Sequence, residues 1–154
     1  HGYRNIILKA KELIKNAQKK IVISGWKREV EEIKKELITA KNRGIENTIF
    51  SFTNIDEKLG KIVSYELDED DLRKIWTPKI IMVVDNQHTI MGSTKKTEDC
   101  KAILTKNTAI NEIATNHIIL DITLAGQRLG FDSDPYVKNI MRDPAENLQH
   151  LLNI

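Results

Sequence analysis

The strongest constraint on this chain is a β-branched run that stops at a glycine, a helix-spaced stretch after it, and then a second β-rich run. Lys20-Ile21-Val22-Ile23-Ser24-Gly25 has the composition of a buried strand halted at a turn. Val30, Ile33, Leu37 and Ala40 follow at three- and four-residue intervals, and Gly44, after Lys41 and Arg43, supplies a left-handed helix end. Ile45 to Phe52 reads as the second strand. Two strands joined through a helix run parallel, so the chain is expected to be α/β, a mixed sheet flanked by helices.

The flanking segments extend the same plan. Ile6, Ile7, Ala10, Leu13, Ile14 and Ala17 predict an amphipathic helix from Tyr3 to Lys19. Ile62 to Leu67 suits a third strand, and Asp68-Glu69-Asp70-Asp71 opens a short helix through Ile75, where acids suit the helix N-terminus. Lys79 to Val84 and Thr89 to Met91 flank Asp85-Asn86-Gln87-His88, which has the chemistry of a hairpin turn and puts His88 at its tip. Ala102 to Thr105 is a last strand, and Asn107 is the expected N-cap of a long helix carrying Ile110, Ile113, Ala114, Ile118, Ile122 and Ala125. Ile119 and Leu124 fall off that stripe, which implies a helix apolar on two sides with one side for a partner chain. Tyr136 to Met141 and Ala145 to Leu152 read as short terminal helices.

Composition excludes several classes. With 154 residues, 40% hydrophobic and 30% charged, one domain spanning 1–154 is expected. A net charge of +2 leaves no broad electrostatic footprint for nucleic acid or anionic membrane. The lysines of the first helix and the Glu29 to Lys35 cluster read as solvated faces. A single cysteine, Cys100, permits no internal disulfide, which fits a reducing, cytoplasmic setting. No apolar run approaches the roughly 20 residues of a membrane span, so no membrane partner is expected. Four scattered histidines without paired acids or cysteines predict neither a metal site nor a cofactor. His117, beside Ile113 and Ile118, reads as a partly buried imidazole.

The run Pro78-Lys79-Ile80-Ile81-Met82-Val83-Val84-Asp85, closed by Gly92-Ser93, resembles a phospholipase D motif: His, any residue, Lys, four residues, Asp, six residues, Gly and a small polar residue. Anchored on Asp85 and Gly92, the register puts Pro78 at the nucleophilic His and Ile80 at the phosphate-binding Lys. Neither side chain can attack phosphorus or hold a phosphoryl oxygen. The ordered set Ile21-Val22-Ile23-Ser24-Gly25-Trp26, Ala40-Lys41-Asn42-Arg43-Gly44, Ile75-Trp76, Val83-Val84-Asp85-Asn86, Gly92-Ser93 and Ala102-Ile103-Leu104-Thr105-Lys106-Asn107 is similar to the regulator domain of the TrmB family. The resemblance implies a phospholipase D-like effector and dimerisation domain of a metabolite-responsive transcription regulator. In that family a winged helix-turn-helix precedes this domain. The chain opens at His1-Gly2 on the helix that would follow, so DNA contact is expected only through a domain missing from these residues.

The expected function is therefore non-catalytic: a homodimer that binds a sugar or another small metabolite. The alternative is a divergent phospholipase D-like phosphodiesterase or nuclease. Asp85 is a catalytic remnant or, as its turn chemistry favours, a carboxylate capping backbone amides. Trp26 and Trp76 lie at strand ends, where an indole can stack on a sugar or planar ligand, although either is also a natural core or interface aromatic. Ser24, Ser93, Lys106 and Asn107 offer polar contacts to the same ligand; Ser93 and Asn107 equally suit a turn and a cap.

Overall fold

The computed structural model describes residues 2–95 and 100–141. The two β-rich runs form β1 (Lys20–Ser24) and β2 (Glu46–Thr53), paired parallel with Ser24 opposite Phe50. Between them lie two helices where one was expected, α2 (Lys27–Glu32) and α3 (Lys34–Asn42). The break falls on Ile33, a β-branched residue and a weaker helix former than the Lys and Glu around it. Its side chain stays fully buried, so the break keeps both segments on the core.

β3 (Lys61–Leu67) adds parallel to β2, and β4 (Lys79–Val84) lies antiparallel to β1. β5 (His88–Ser93) and β6 (Ala102–Thr105) continue antiparallel, giving the order β3-β2-β1-β4-β5-β6. Alternation along the strands sends Ile21, Ile23, Ile49, Ile80 and Met82 to one face. There they pack with α1 (Tyr3–Lys15), α2 and α3. Val22, Phe50 and Val63 face the other way, under α5 (Thr108–Leu129) and α6 (Asp134–Val137). A short α4 (Glu69–Arg73) joins β3 to β4, capped by the Asp68 carboxylate on the Asp71 N–H.

Helix α1 stops short of the expected Lys19. Arg43 Nη2 donates to the carbonyls of Ile14 and Ala17, and Asp85 takes the N–H groups of Gln18, Lys19 and Lys20. These partners replace the helical ones. The β4–β5 turn holds Asp85 and Asn86 at φ 55°, the left-handed pair of a tight hairpin. His88 is consequently the first residue of β5, opposite Val84 and half-buried, and not the tip.

Asn107 caps α5 as expected, accepting the Ile110 N–H at 3.1 Å. The buried stripe differs: Asn111, Ala114, Thr115, Ile118, Ile122 and Ala125 face the sheet, while Ile113 is 66% exposed. Asn111 turns the helix this way, because its side chain accepts from the Thr89 hydroxyl and donates to the Asn86 carbonyl. Ile119 packs on the core, and the outer face carries Ile113, Leu120 and Leu124. His117 is exposed there, 3.3 Å from Asp121, and not buried. The last described helix is α6, slightly earlier than the expected Tyr136 start. The Ala145 to Leu152 helix and His150 lie outside the described residues.

Candidate functional site

The strand directions bring the carboxyl ends of β1, β2, β3 and β5 and the amino ends of β4 and β6 to one edge of the sheet. Ser24, Trp26, Trp76 and Ser93 lie at that edge. Lys106 and Asn107 do not: β6 runs antiparallel to β5, so both follow it at the opposite edge, and Asn107 is committed to capping α5. The six residues thus do not share one cleft.

Within the group of four, burial separates the tryptophans. Trp26 precedes α2 and is only 5% exposed, a core aromatic. Trp76 is 49% exposed, with its ring 4.9 Å from that of Phe52. Phe52 in turn stacks on Tyr65 at 5.4 Å with planes 10° apart. Phe52, Tyr65 and Trp76 form a partly exposed aromatic platform beside the half-buried Ser24 on the α5 face. Sequence reasoning missed Phe52 and Tyr65. The signal was the two-residue alternation Phe50/Phe52 and Val63/Tyr65, which puts each pair on one face.

The motif positions resolve into structural roles. Ile80 is fully buried in the core beneath α2, and a Cβ on Gly25 would sit 3.8 Å from its Cγ1. Asp85 accepts the N–H groups of Gln18, Lys19 and Lys20 at 2.9, 2.7 and 3.0 Å, so it caps the entry to β1. Gly92 admits the close approach of β6, because a Cβ there would meet the Lys101 carbonyl oxygen at 2.3 Å.

Beside this position lies a charge pair that sequence reasoning read as a solvated face. Glu29 is fully buried, and its Oε1 accepts from Arg28 Nε at 3.0 Å and Nη2 at 2.7 Å. Arg28 also donates to the Thr94 carbonyl and lies 4.8 Å over the Tyr3 ring. Burial pulls the guanidinium's pKa down, but Glu29's hydrogen bond and charge outweigh it and hold Arg28 above its ordinary value. Burial, reinforced by Glu29, pushes the Tyr3 hydroxyl up to about 12. Burial also raises the Cys100 thiol, which donates to the Ser93 carbonyl at 2.7 Å. Phenol and thiol both stay protonated at neutral pH, so this cluster holds a neutralised ion pair and no activated nucleophile.

Among the described residues, no group of three or more His, Cys, Asp or Glu is placed to hold a metal. None of the described helices is long and apolar enough to cross a membrane.

Residues 1–116 match the family model described as Transcriptional regulator TrmB, EBD N-terminal subdomain. No curated protein matches the chain. Among solved structures, TrmBL2, an archaeal chromatin protein with a novel mode of DNA binding, superposes with a TM-score of 0.56 at 17% identity. That match covers 76% of this chain and 48% of TrmBL2, so the chain spans about half of that protein's length. NucT from Helicobacter pylori gives a TM-score of 0.55 at 13% identity, covering 75% of this chain and 86% of its own. Nuc from Salmonella typhimurium, a phospholipase D family member, gives 0.52 at 16%, covering 72% and 82%. The fold is thus phospholipase D-like, and with three quarters of its length matched by the family model the chain belongs to the TrmB family of transcriptional regulators.

Proposed function

We propose that this chain is a single, non-catalytic effector-sensing and dimerisation domain of a TrmB-type regulator, binding a sugar or another small metabolite. One observation carries the reading: the position of a phosphate-binding lysine is taken by Ile80, which has no contact with solvent, and that of the nucleophile by Pro78. A phosphoryl group has no charged side chain to meet there. The aromatic platform of Phe52, Tyr65 and Trp76, with Ser24 beside it and Ser93 on the same sheet face, supports ligand stacking at this edge. The outer face of α5, with Ile113, Leu120 and Leu124 exposed, supports self-association. Contact with DNA is assigned to a separate domain, since positive and negative charges nearly balance here.

A melting-temperature screen of sugars and phosphorylated metabolites tests the reading. At least one ligand should stabilise the chain, and Trp76→Ala should remove the response while leaving the unliganded melting temperature within a few degrees. A screen with no stabilising ligand would leave a pure dimerisation module as the better account. The rival, a divergent phosphodiesterase, draws on the likeness to a phospholipase D family member. It needs a nucleophile at the sheet edge, and the nearest candidates, Tyr3 and Cys100, are held protonated.

A further inference from the structure

At the opposite end of the sheet, between the β4–β5 turn and the first turns of α5, lies a cavity of about 300 Å³ lined by Asn86, Thr108, Asn111, Glu112, Thr115 and Asn116, with Ile140 at its side. Its lining is amide and hydroxyl almost throughout, and no lysine or arginine contributes. Two of the lining side chains sit on the buried stripe of α5, where the neighbours are Ala114, Ile118 and Ile122. Asn111, 3% exposed, is consumed by the fold through Thr89 and Asn86. Thr115, one turn on and 7% exposed, has no side-chain hydrogen bond among the described residues. A buried hydroxyl without a partner costs about 1–3 kcal/mol. An apolar residue would serve the core better at that position, so the hydroxyl has a purpose outside the fold.

We infer that this cavity is a binding site for a small neutral polyhydroxylated ligand, a monosaccharide or cyclic polyol, with the Thr115 hydroxyl as its buried anchor. Hydroxyl groups both donate and accept, which is what a ring of asparagine amides and threonine hydroxyls answers. The only charged lining group is Glu112, itself engaged in another interaction, and its negative charge disfavours phosphorylated or carboxylated ligands. The volume lies at the low end of the roughly 300–1,000 Å³ of small-molecule pockets, which suits one ring. The inference rests on the sensor reading only in treating the chain as a binding domain, and its site lies across the sheet from Trp76.

Amide chemical-shift titrations of the full 154-residue chain with myo-inositol, D-glucose and D-glucose 6-phosphate test it. Saturable shifts should centre on Asn86, Thr108, Thr115 and Asn116 for a neutral ligand, with the phosphate ester weaker. Thr115→Val, which keeps shape and removes the hydroxyl, should weaken binding about tenfold without lowering the melting temperature. Trp76→Ala should change neither. Shifts centred on Trp76 would overturn the cavity and leave the sensor reading intact. Tighter binding of the phosphate ester, unchanged affinity in Thr115→Val, or no saturable shift with any of the three would overturn the cavity, while the melting screen judges the sensor reading separately.

Discussion

Asp85 Oδ1 accepts the backbone N–H of Lys19 at 2.7 Å, across 66 residues of chain, and the same carboxylate holds Gln18 and Lys20. It fixes the end of α1 and the start of β1 to the turn after β4. The one acidic residue of the degenerate motif is thereby explained as a clamp on the sheet end.

Replacing Asp85 should therefore cost stability. Asp85→Ala removes three acceptor contacts and puts a side chain that disfavours left-handed backbone at φ 55°. A loss of about 2–3 kcal/mol is expected in urea denaturation. Asp85→Asn keeps the backbone preference and one amide oxygen, so its loss should be about 1 kcal/mol. Equal losses in the two variants would contradict the clamp.

Breaking the buried ion pair should be worse than removing it. Glu29→Leu leaves Arg28 beneath Tyr3 and the Thr94 carbonyl without its counter-charge, at a cost of about 3 kcal/mol or more. Arg28→Met combined with Glu29→Leu should recover most of that loss in the same denaturation experiment. Additive losses would show that the two side chains are not energetically coupled.

The outer face of α5 bears on assembly. Leu120 is 67% exposed, so Leu120→Asp should leave the protomer's stability within about 0.5 kcal/mol. It should lower the association constant in sedimentation equilibrium by at least tenfold, while Lys15→Asp on α1 changes nothing. A monomeric parent chain at high micromolar concentration would remove the dimer from the proposal.

Asp121 supplies a pH dependence. Burial raises its pKa above the ordinary 3.8, with His117 lowering it in part. A raised carboxyl favours the protonated form in the fold, so its stability contribution is full below 3.8 and is lost as pH climbs through the folded value. Asp121→Asn should therefore be more stable than the parent at neutral pH, with the difference vanishing in acid. A variant less stable at neutral pH would mean that the His117 pairing outweighs the burial.

Periodicity made the architecture legible: Ile21 to Ile23 and Ile49 reach the core from parallel strands because alternation and helix spacing leave little freedom. The helix break at Ile33 was not legible, since one run of apolar spacing serves one helix or two. Nor was the inward turn of Asn111 and Thr115, which follows from a contact with Asn86 and Thr89 that lie more than twenty residues earlier. At the sheet edge, local sequence marked Ser24, Trp26, Trp76 and Ser93 as strand-end residues. It gave no means of knowing that β6 runs the other way and carries Lys106 and Asn107 to the far side, or that Glu29 is buried against its own neighbour.

Hydrolysis of bis-p-nitrophenyl phosphate by the purified chain, followed by p-nitrophenolate absorbance, tests most directly whether this phospholipase D-like fold has ceased to be an enzyme. With Pro78 and buried Ile80 in the catalytic register, release should equal the protein-free blank at every pH from 5 to 9 and stay there in His88→Ala and His117→Ala. Turnover proportional to protein concentration and abolished by either substitution would contradict the account and return the chain to the phosphodiesterases.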